Sequence, residues 1–444
     1  MTALLQSFPG ELLLLSGALL LALGSLLAGA KVAAFPGIVP RAAVGLLAVS
    51  GFALWHSSPV GLRGALAPQP GLALFLGLMI AAVAVTVAAE ESPRRIALHL
   101  AAAASLAWSM RAADLFAVVL ALAIWWLCHR LLMEADPAPV RSLRWESLAL
   151  ALLAVGATLI VGETGSGQLT SIVDAWQIGL TGNPALAEAG ALCLLLGLAL
   201  PLGLVTATAT PLVARLAPIA AGLWIAFRLL QTLGPASTTL QWLAPAIAVV
   251  VGLWGYGSAL FARHWRRAVD RAVVASAGLL LLLAQLGSPF ELTLGMAALL
   301  LSAVASTADS GSQLAGNANL IRPPAAGSSG RDPAVSSLAG LGHRLTLLVA
   351  LVGLAGLPPV FGYRLRPALL GHHFGSWLGT LLLLVVFLSL LFVLRWLPTA
   401  WRAQTSRPAA TSLAAAALLI LLGTVPASWL HRGLGLIGEL LRTL

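Results

Sequence analysis

Apolar residues fall in long blocks separated by short polar, glycine or proline stretches, and most blocks reach the length of a bilayer crossing. Such runs are apolar all round rather than on one stripe, which predicts membrane-spanning helices. About fourteen spans are predicted on this basis, at 11–30, 38–56, 71–89, 93–109, 112–133, 146–163, 185–205, 210–231, 239–261, 269–287, 289–307, 341–362, 374–396 and 409–429. The expected fold is all-α: a polytopic membrane helical bundle with broken helices and an internal repeat, forming a single transmembrane domain over 1–444. Two connections are longer than the rest. Glu163–Leu186 contains no Lys or Arg, whereas Asp309–Gly340 is rich in Gly, Ser, Ala and Pro and predicts a flexible inner loop, 309–340.

One span departs from the pattern. From Ser337 to Leu370 the apolar run meets Pro358 and Pro359 and continues through Gly362 to Arg364 and Arg366. Two adjacent prolines remove two backbone donors and clash with the preceding turn, so a helix must kink or break there. Carbonyls freed inside a bilayer are tolerated only where protein or a wet cavity covers them, so a broken helix followed by a cation points to a functional site. A kinked helix whose arginines reach the water interface is the other reading of the same residues.

Composition agrees with the pattern. The 444 residues are 59% hydrophobic and 9% charged, with a mean hydropathy of +0.97. No stretch is polar enough for a soluble catalytic domain. The net charge of +10 comes from basic residues dispersed over short loops, so membrane topology explains it better than nucleic acid does. With alternating spans, 18 Lys and Arg fall on one side and 7 on the other. The richer side is expected to be cytoplasmic, which places both termini outside. No basic stretch precedes the first apolar run, Leu12–Ala28, so it reads as a first span rather than a cleaved leader.

Candidate chemistry is sparse. Cys128 and Cys193 both sit in apolar runs and read as small buried hydrophobes. His372 and His373 are adjacent and cannot share a helix face, which argues against a metal site. His99 lies in an apolar helix, as a proton relay or as a hydrogen-bonded core histidine. Ligands for iron–sulfur clusters or haem and nucleotide fingerprints do not stand out, so no cofactor is expected.

Four stretches carry a resemblance. Pro9–Gly29, PGELLLLSGALLLALGSLLAG, resembles the opening of subunit N of respiratory complex I. Ser109–Leu127, SMRAADLFAVVLALAIWWL, is similar to that family's Asn/Ser-Asp-Leu segment and its following glutamate-bearing helix. RRAVDRAVVASAG at 266–278 resembles the family's Lys-Arg-Leu-Leu-Ala-Tyr-Ser-Ser-Ile-Ala-His-x-Gly. GLAGLPPVFG at 353–362, the most specific of the four, resembles Ser-Leu-Ala-Gly-Ile-Pro-Pro-x-x-Gly. The resemblance to these antiporter-like subunits, a family to which Mrp-type antiporters are related, implies an antiporter-like core at about 93–396 and two broken helices. It also implies a chain of buried ionisable groups that pass protons, and partnership with other membrane subunits of a complex-I-type assembly in a bacterial inner membrane.

Carried over residue by residue, most of those groups are missing. The glutamate of the fifth helix falls at Ala123, the lysine of the seventh near Pro201 and the lysine of the eighth near Ile219; the histidine before the family glycine falls at Ser276. Only the lysine of the twelfth helix keeps a cation, as Arg366. Buried lysine can release a proton because desolvation lowers its pKa, whereas arginine effectively cannot. Two expectations follow within the family: a scaffold whose proton channel has largely degenerated, or a subunit that still moves protons through His99, Asp114, Ser276 and Arg366. An independent secondary transporter is the third, motivated by a second proline-interrupted region at Pro201, Pro211 and Pro218.

Overall fold

A computed structural model describes residues 9–28, 38–56, 70–88, 90, 92–133, 140–179, 182–204, 212–234, 237–286, 289–307, 333–357, 376–402 and 410–424. Fifteen helices lie among them. These are α1 (Pro9–Ala28), α2 (Ile38–His56), α3 (Pro70–Ala88), α4 (Pro93–Arg111), α5 (Leu115–Met133), α6 (Val140–Thr164), α7 (Leu169–Gln177) and α8 (Pro184–Gly197). There follow α9 (Leu212–Leu233), α10 (Thr238–Leu260), α11 (Trp265–Leu286), α12 (Pro289–Ser306), α13 (Pro333–Ala355), α14 (Trp377–Arg402) and α15 (Ala410–Thr424). Each predicted span corresponds to one helix. Among the described residues six helices are long and apolar enough to cross a membrane by themselves. The chain is a polytopic, all-helical membrane protein.

The ends are set by local chemistry. Six helices begin at a proline (Pro9, Pro70, Pro93, Pro184, Pro289 and Pro333), where the missing N–H removes no intrahelical bond. Asp114 opens α5: its carboxylate accepts from the backbone N–H of Phe116 at 2.8 Å and of Ala117 at 3.2 Å, an N-cap.

Two expectations needed adjustment. The loop 163–186 contains α7, whose Leu169 and Ile172 are buried. Asp114 also ties this loop down, pairing with Gln168 through two backbone bonds, Leu115 N–H to Gly167 O and Leu169 N–H to Ala113 O, each 2.9 Å. The 309–340 stretch ends sooner than expected, because α13 begins at Pro333.

The helices group in two compact units, Met1–Ile247 with Leu280–Thr293 and Ala248–Leu279 with Leu294–Leu444. In the first, α9 is central: every residue from Arg215 to Leu230 is buried, and the helix packs on α3, α4 and α7. Phe75 and Phe227 flank Trp224 at 5.2 and 5.3 Å between ring centroids. Helices α6 and α8 meet backbone to backbone. A Cβ on Gly156 would lie 2.7 Å from Gly190 O, and one on Gly197 would lie 2.8 Å from Ala149 O. Small residues allow this approach where apolar area gives no net drive, since lipid is as apolar as leucine.

Polar groups in the first unit gather at helix ends. Arg111 at the end of α4 donates to both oxygens of Glu11 at the start of α1, at 2.7 and 2.9 Å, and both side chains are buried. Arg228 donates to Met110 O at 2.8 Å, and Gln231 to Ala284 O at 3.2 Å. At the junction of α5 and α6, buried Glu146 accepts from Trp126 Nε1 at 3.0 Å and pairs with Arg130 at 3.4 Å. In the second unit α13 packs on α14 and α15, and Trp396 Nε1 donates to Ala259 O at 3.1 Å.

Candidate functional site: two helix breaks

Helix α8 has 14 residues and is followed by turns whose backbone bonds run on to Gly203. It unwinds through Leu198–Leu204 and closes with a glycine cap. Gly203 takes φ +75°; its N–H donates to Leu200 O, and the Leu204 N–H reaches back to Ala199 O. This pair of bonds is the Schellman motif, which needs a left-handed residue that glycine supplies without strain.

Helix α13 ends the same way. Gly356 takes φ +60°, its N–H donates to Gly353 O, and the Leu357 N–H donates to Val352 O. The apolar part, Gly340–Ala355, is shorter than a full crossing. The helix closes at Ala355, ahead of the two prolines. Pro358, Pro359, Gly362, Arg364 and Arg366 lie outside the described residues.

The two ends are covered by different chemistry. A helix continuing past Ala355 would satisfy Leu354 O with the N–H of residue 358, but that residue is proline and has none. Instead the Tyr256 hydroxyl, from α10, donates to Leu354 O at 2.6 Å. The Ser276 hydroxyl, from α11, lies 3.0 Å from the same oxygen, 2.9 Å from Ala272 O and 3.2 Å from Tyr256 Oη. Tyr256 is fully buried, so both hydroxyls are held against the break by packing.

At the first break the covering group is a guanidinium. Arg215, in the first turn of α9, donates through Nη2 to Gly203 O at 3.3 Å and is only 5% exposed. Gly222, two turns on, lets α9 lie against Pro201 and Leu202, where a Cβ would come within 3.1 Å. Ile219, one turn after Arg215, is fully buried.

The remaining predicted positions are dispersed. Pro201 is buried in the turn after α8, Ala123 is half-buried in α5, and Ser276 is half-buried in α11. His99 is half-buried in α4. Asp114 serves as the α5 cap, and Arg366 lies outside the described residues. The structure thus brings Ser276 to the end of α13. Tyr256 and Arg215 were missed as site residues. Tyr256 left one signal, being one of two tyrosines in the chain and set in an apolar run; Arg215 read as one more interfacial cation.

The fold has counterparts among solved structures. The chain superposes on a chain of respiratory complex I from Thermus thermophilus, solved with bound aureothin, at a TM-score of 0.70 and 21% identity over 93% of this chain and 96% of that one. It matches a chain of the archaeal membrane-bound sulfane sulfur reductase, a respiratory membrane complex, at 0.69 and 17% over 99% and 97%. It also matches a chain of the Mrp complex from Dietzia sp. DQ12-45-1b at 0.65 and 19%, over 93% of this chain and 49% of that one. The chain thus shares its fold with membrane chains of these respiratory and Mrp complexes.

In sequence the chain is similar to NADH-quinone oxidoreductase subunit N 1 of Streptomyces griseus, with 30% identity over 309 residues, 62% of each chain. No known family profile matches it.

Proposed function

We propose that this chain is a subunit N-like membrane-arm component of a complex-I-type proton-translocating oxidoreductase, acting as a scaffold or coupling element with a largely degenerate proton channel. Similarity to subunit N and the shared fold support the subunit assignment. The single observation that carries the degenerate channel is the make-up of the end of α8: a buried arginine covers it, a buried isoleucine lies one turn on, and Pro201 stands near where the family's lysine falls. None of these exchanges a proton near neutral pH.

The subunit then lies in a bacterial inner membrane, with both termini outside and other membrane subunits at its flanks. On this reading 1–444 acts as one transmembrane domain with its core at about 93–396 and an internal repeat. Electron transfer and redox cofactors belong to partner subunits.

The test is proton pumping by the purified complex in vesicles. Arg366→Ala is expected to leave both assembly and the proton-to-electron ratio unchanged; a sharp fall in pumping with assembly intact would overturn the scaffold reading. The second reading, a still-active path through Ser276 and Arg366, draws on the hydroxyl pair at Leu354 O. It expects that fall. The same preparation addresses the independent transporter, which would purify without partner subunits.

A further inference from the structure

Helix α14 carries an exposed apolar stripe. Leu383, Phe387, Leu390, Leu394, Leu397 and Trp401 follow one another at alternating intervals of four and three residues, and each is 40–56% exposed. At 1.5 Å per residue the stripe runs about 27 Å, close to the roughly 30 Å of a hydrocarbon core. It ends in positive charge. The Arg344 guanidinium, from α13, lies over the Trp401 ring at 6.0 Å, and Arg395, on α14 itself, lies over Trp396 at 5.9 Å. Among the described residues no carboxylate pairs with either arginine. Arg344 is half-buried, and its Nε is buried with no hydrogen-bond partner among those residues.

An arginine at a membrane edge ordinarily extends its head to water. Arg344 instead stacks on an indole, and a buried donor on a charged group is costly to leave unmade. Stacking occupies the face of the guanidinium and leaves its N–H edge free. That edge is a fork that matches two oxygens of a phosphate. We propose that Arg344 and Trp401 form a binding site for the phosphate of an anionic phospholipid, whose acyl chains lie along the α14 stripe. Arg395 adds a second positive charge at the same end of α14. An acidic protein segment would satisfy the arginines but not the stripe, which stays apolar along its whole length. An amphiphile with a negative head and long tails satisfies both. The site holds lipid whether or not protons cross the chain, so it stands apart from the scaffold reading.

The test uses the purified full chain, stripped of native lipid in mild detergent. It is titrated with phosphatidylglycerol or with phosphatidylcholine of the same acyl chains, and bound lipid is counted by native mass spectrometry. Wild type is expected to hold its tightest phosphatidylglycerol about fivefold more strongly than phosphatidylcholine, the scale of one interfacial arginine. Arg344→Gln keeps a donor and removes the charge; it is expected to lose that preference and leave phosphatidylcholine binding unchanged. Trp401→Leu keeps an apolar side chain at an exposed position and removes the stack, so phosphatidylglycerol affinity is expected to fall about two- to threefold. Arg144→Gln, at an exposed position of α6 in the first unit, is expected to leave the tightest site as it is.

A folded Arg344→Gln variant that keeps the wild-type preference would overturn the site. An equal loss in Arg144→Gln would do so too, because the preference would then be a property of total surface charge. Should the Arg344 variant fail to fold, Trp401→Leu decides: unchanged phosphatidylglycerol affinity overturns the proposal. Binding of a polyglutamate peptide that depends on Arg344, and that phosphatidylglycerol fails to displace, would overturn the lipid in favour of an acidic protein partner.

Discussion

At the residue scale, the break after α13 shows how one covalent fact is answered by two side chains. Proline at 358 withdraws the donor that Leu354 O would have used, and Tyr256 and Ser276 supply hydroxyls in its place. Tyr256→Phe therefore leaves one buried carbonyl with a weaker set of partners. The expected cost is about 1–2 kcal/mol, read as a lower unfolding midpoint in detergent. Ser276→Ala alone should cost less, since Tyr256 makes the shorter bond. The cause is separable from packing: in a Pro358→Ala background, where an N–H is restored, Tyr256→Phe should cost measurably less than in wild type. Equal costs in both backgrounds would disprove the compensation. Tyr256 could not be assigned from sequence, because its partner is a backbone oxygen 98 positions away. What the sequence did show was that the helix must end or kink by Pro358, since two adjacent prolines in an apolar run admit no regular continuation.

At the element scale, spans were legible because bilayer thickness forces length and the absence of water forces helices. Helix α7 was not legible as a span for the same reason, being a nine-residue segment that buries only part of one side. The pairing of α6 with α8 was also hidden: glycines scatter through every helix here, and nothing in their spacing says which ones touch a neighbour. The structure separates them. Gly190 has Ile160 Cγ1 at 2.9 Å and Gly156 O at 3.0 Å from where a Cβ would stand, while Gly162 on α6 has nothing within 4 Å. Gly190→Leu is expected to force the two helices apart and lower the thermal midpoint by several degrees or prevent folding, consistent with overpacking costs of about 1–3 kcal/mol. Gly162→Ala is expected to be neutral or stabilising, by up to about 1 kcal/mol. Equal effects at both sites would show that backbone approach does not set this contact.

At the scale of the whole molecule, topology is an expectation from charge, and in the first unit several helix ends meet in pairs. The start of the first span pairs with the end of the fourth, through Glu11 and Arg111; the end of the fourth meets Arg228 near the end of the eighth. Thr239, opening the ninth, donates to Glu188 near the opening of the seventh at 2.6 Å. Each of these pairs joins ends that an unbroken alternation places on one side. The orientation of that side is a prediction of the basic-residue count. A cysteine at exposed Gln177 should react with an impermeant maleimide added outside intact cells, and one at exposed Arg263 only after lysis. Labelling in the reverse order would invert the topology.

The Glu11–Arg111 pair also fixes an order of events during synthesis. Its two halves are separated by 100 residues, which at ribosomal speeds of roughly 5–20 residues per second amounts to about 5–20 s. Through that interval α1 carries a carboxylate whose counter-charge does not yet exist. The nascent chain must keep that acid at a wet boundary, or beside a helper protein, until the fourth segment emerges. A ribosome stalled before residue 111 would therefore expose an early intermediate with α1 poorly seated, a natural substrate for membrane quality control.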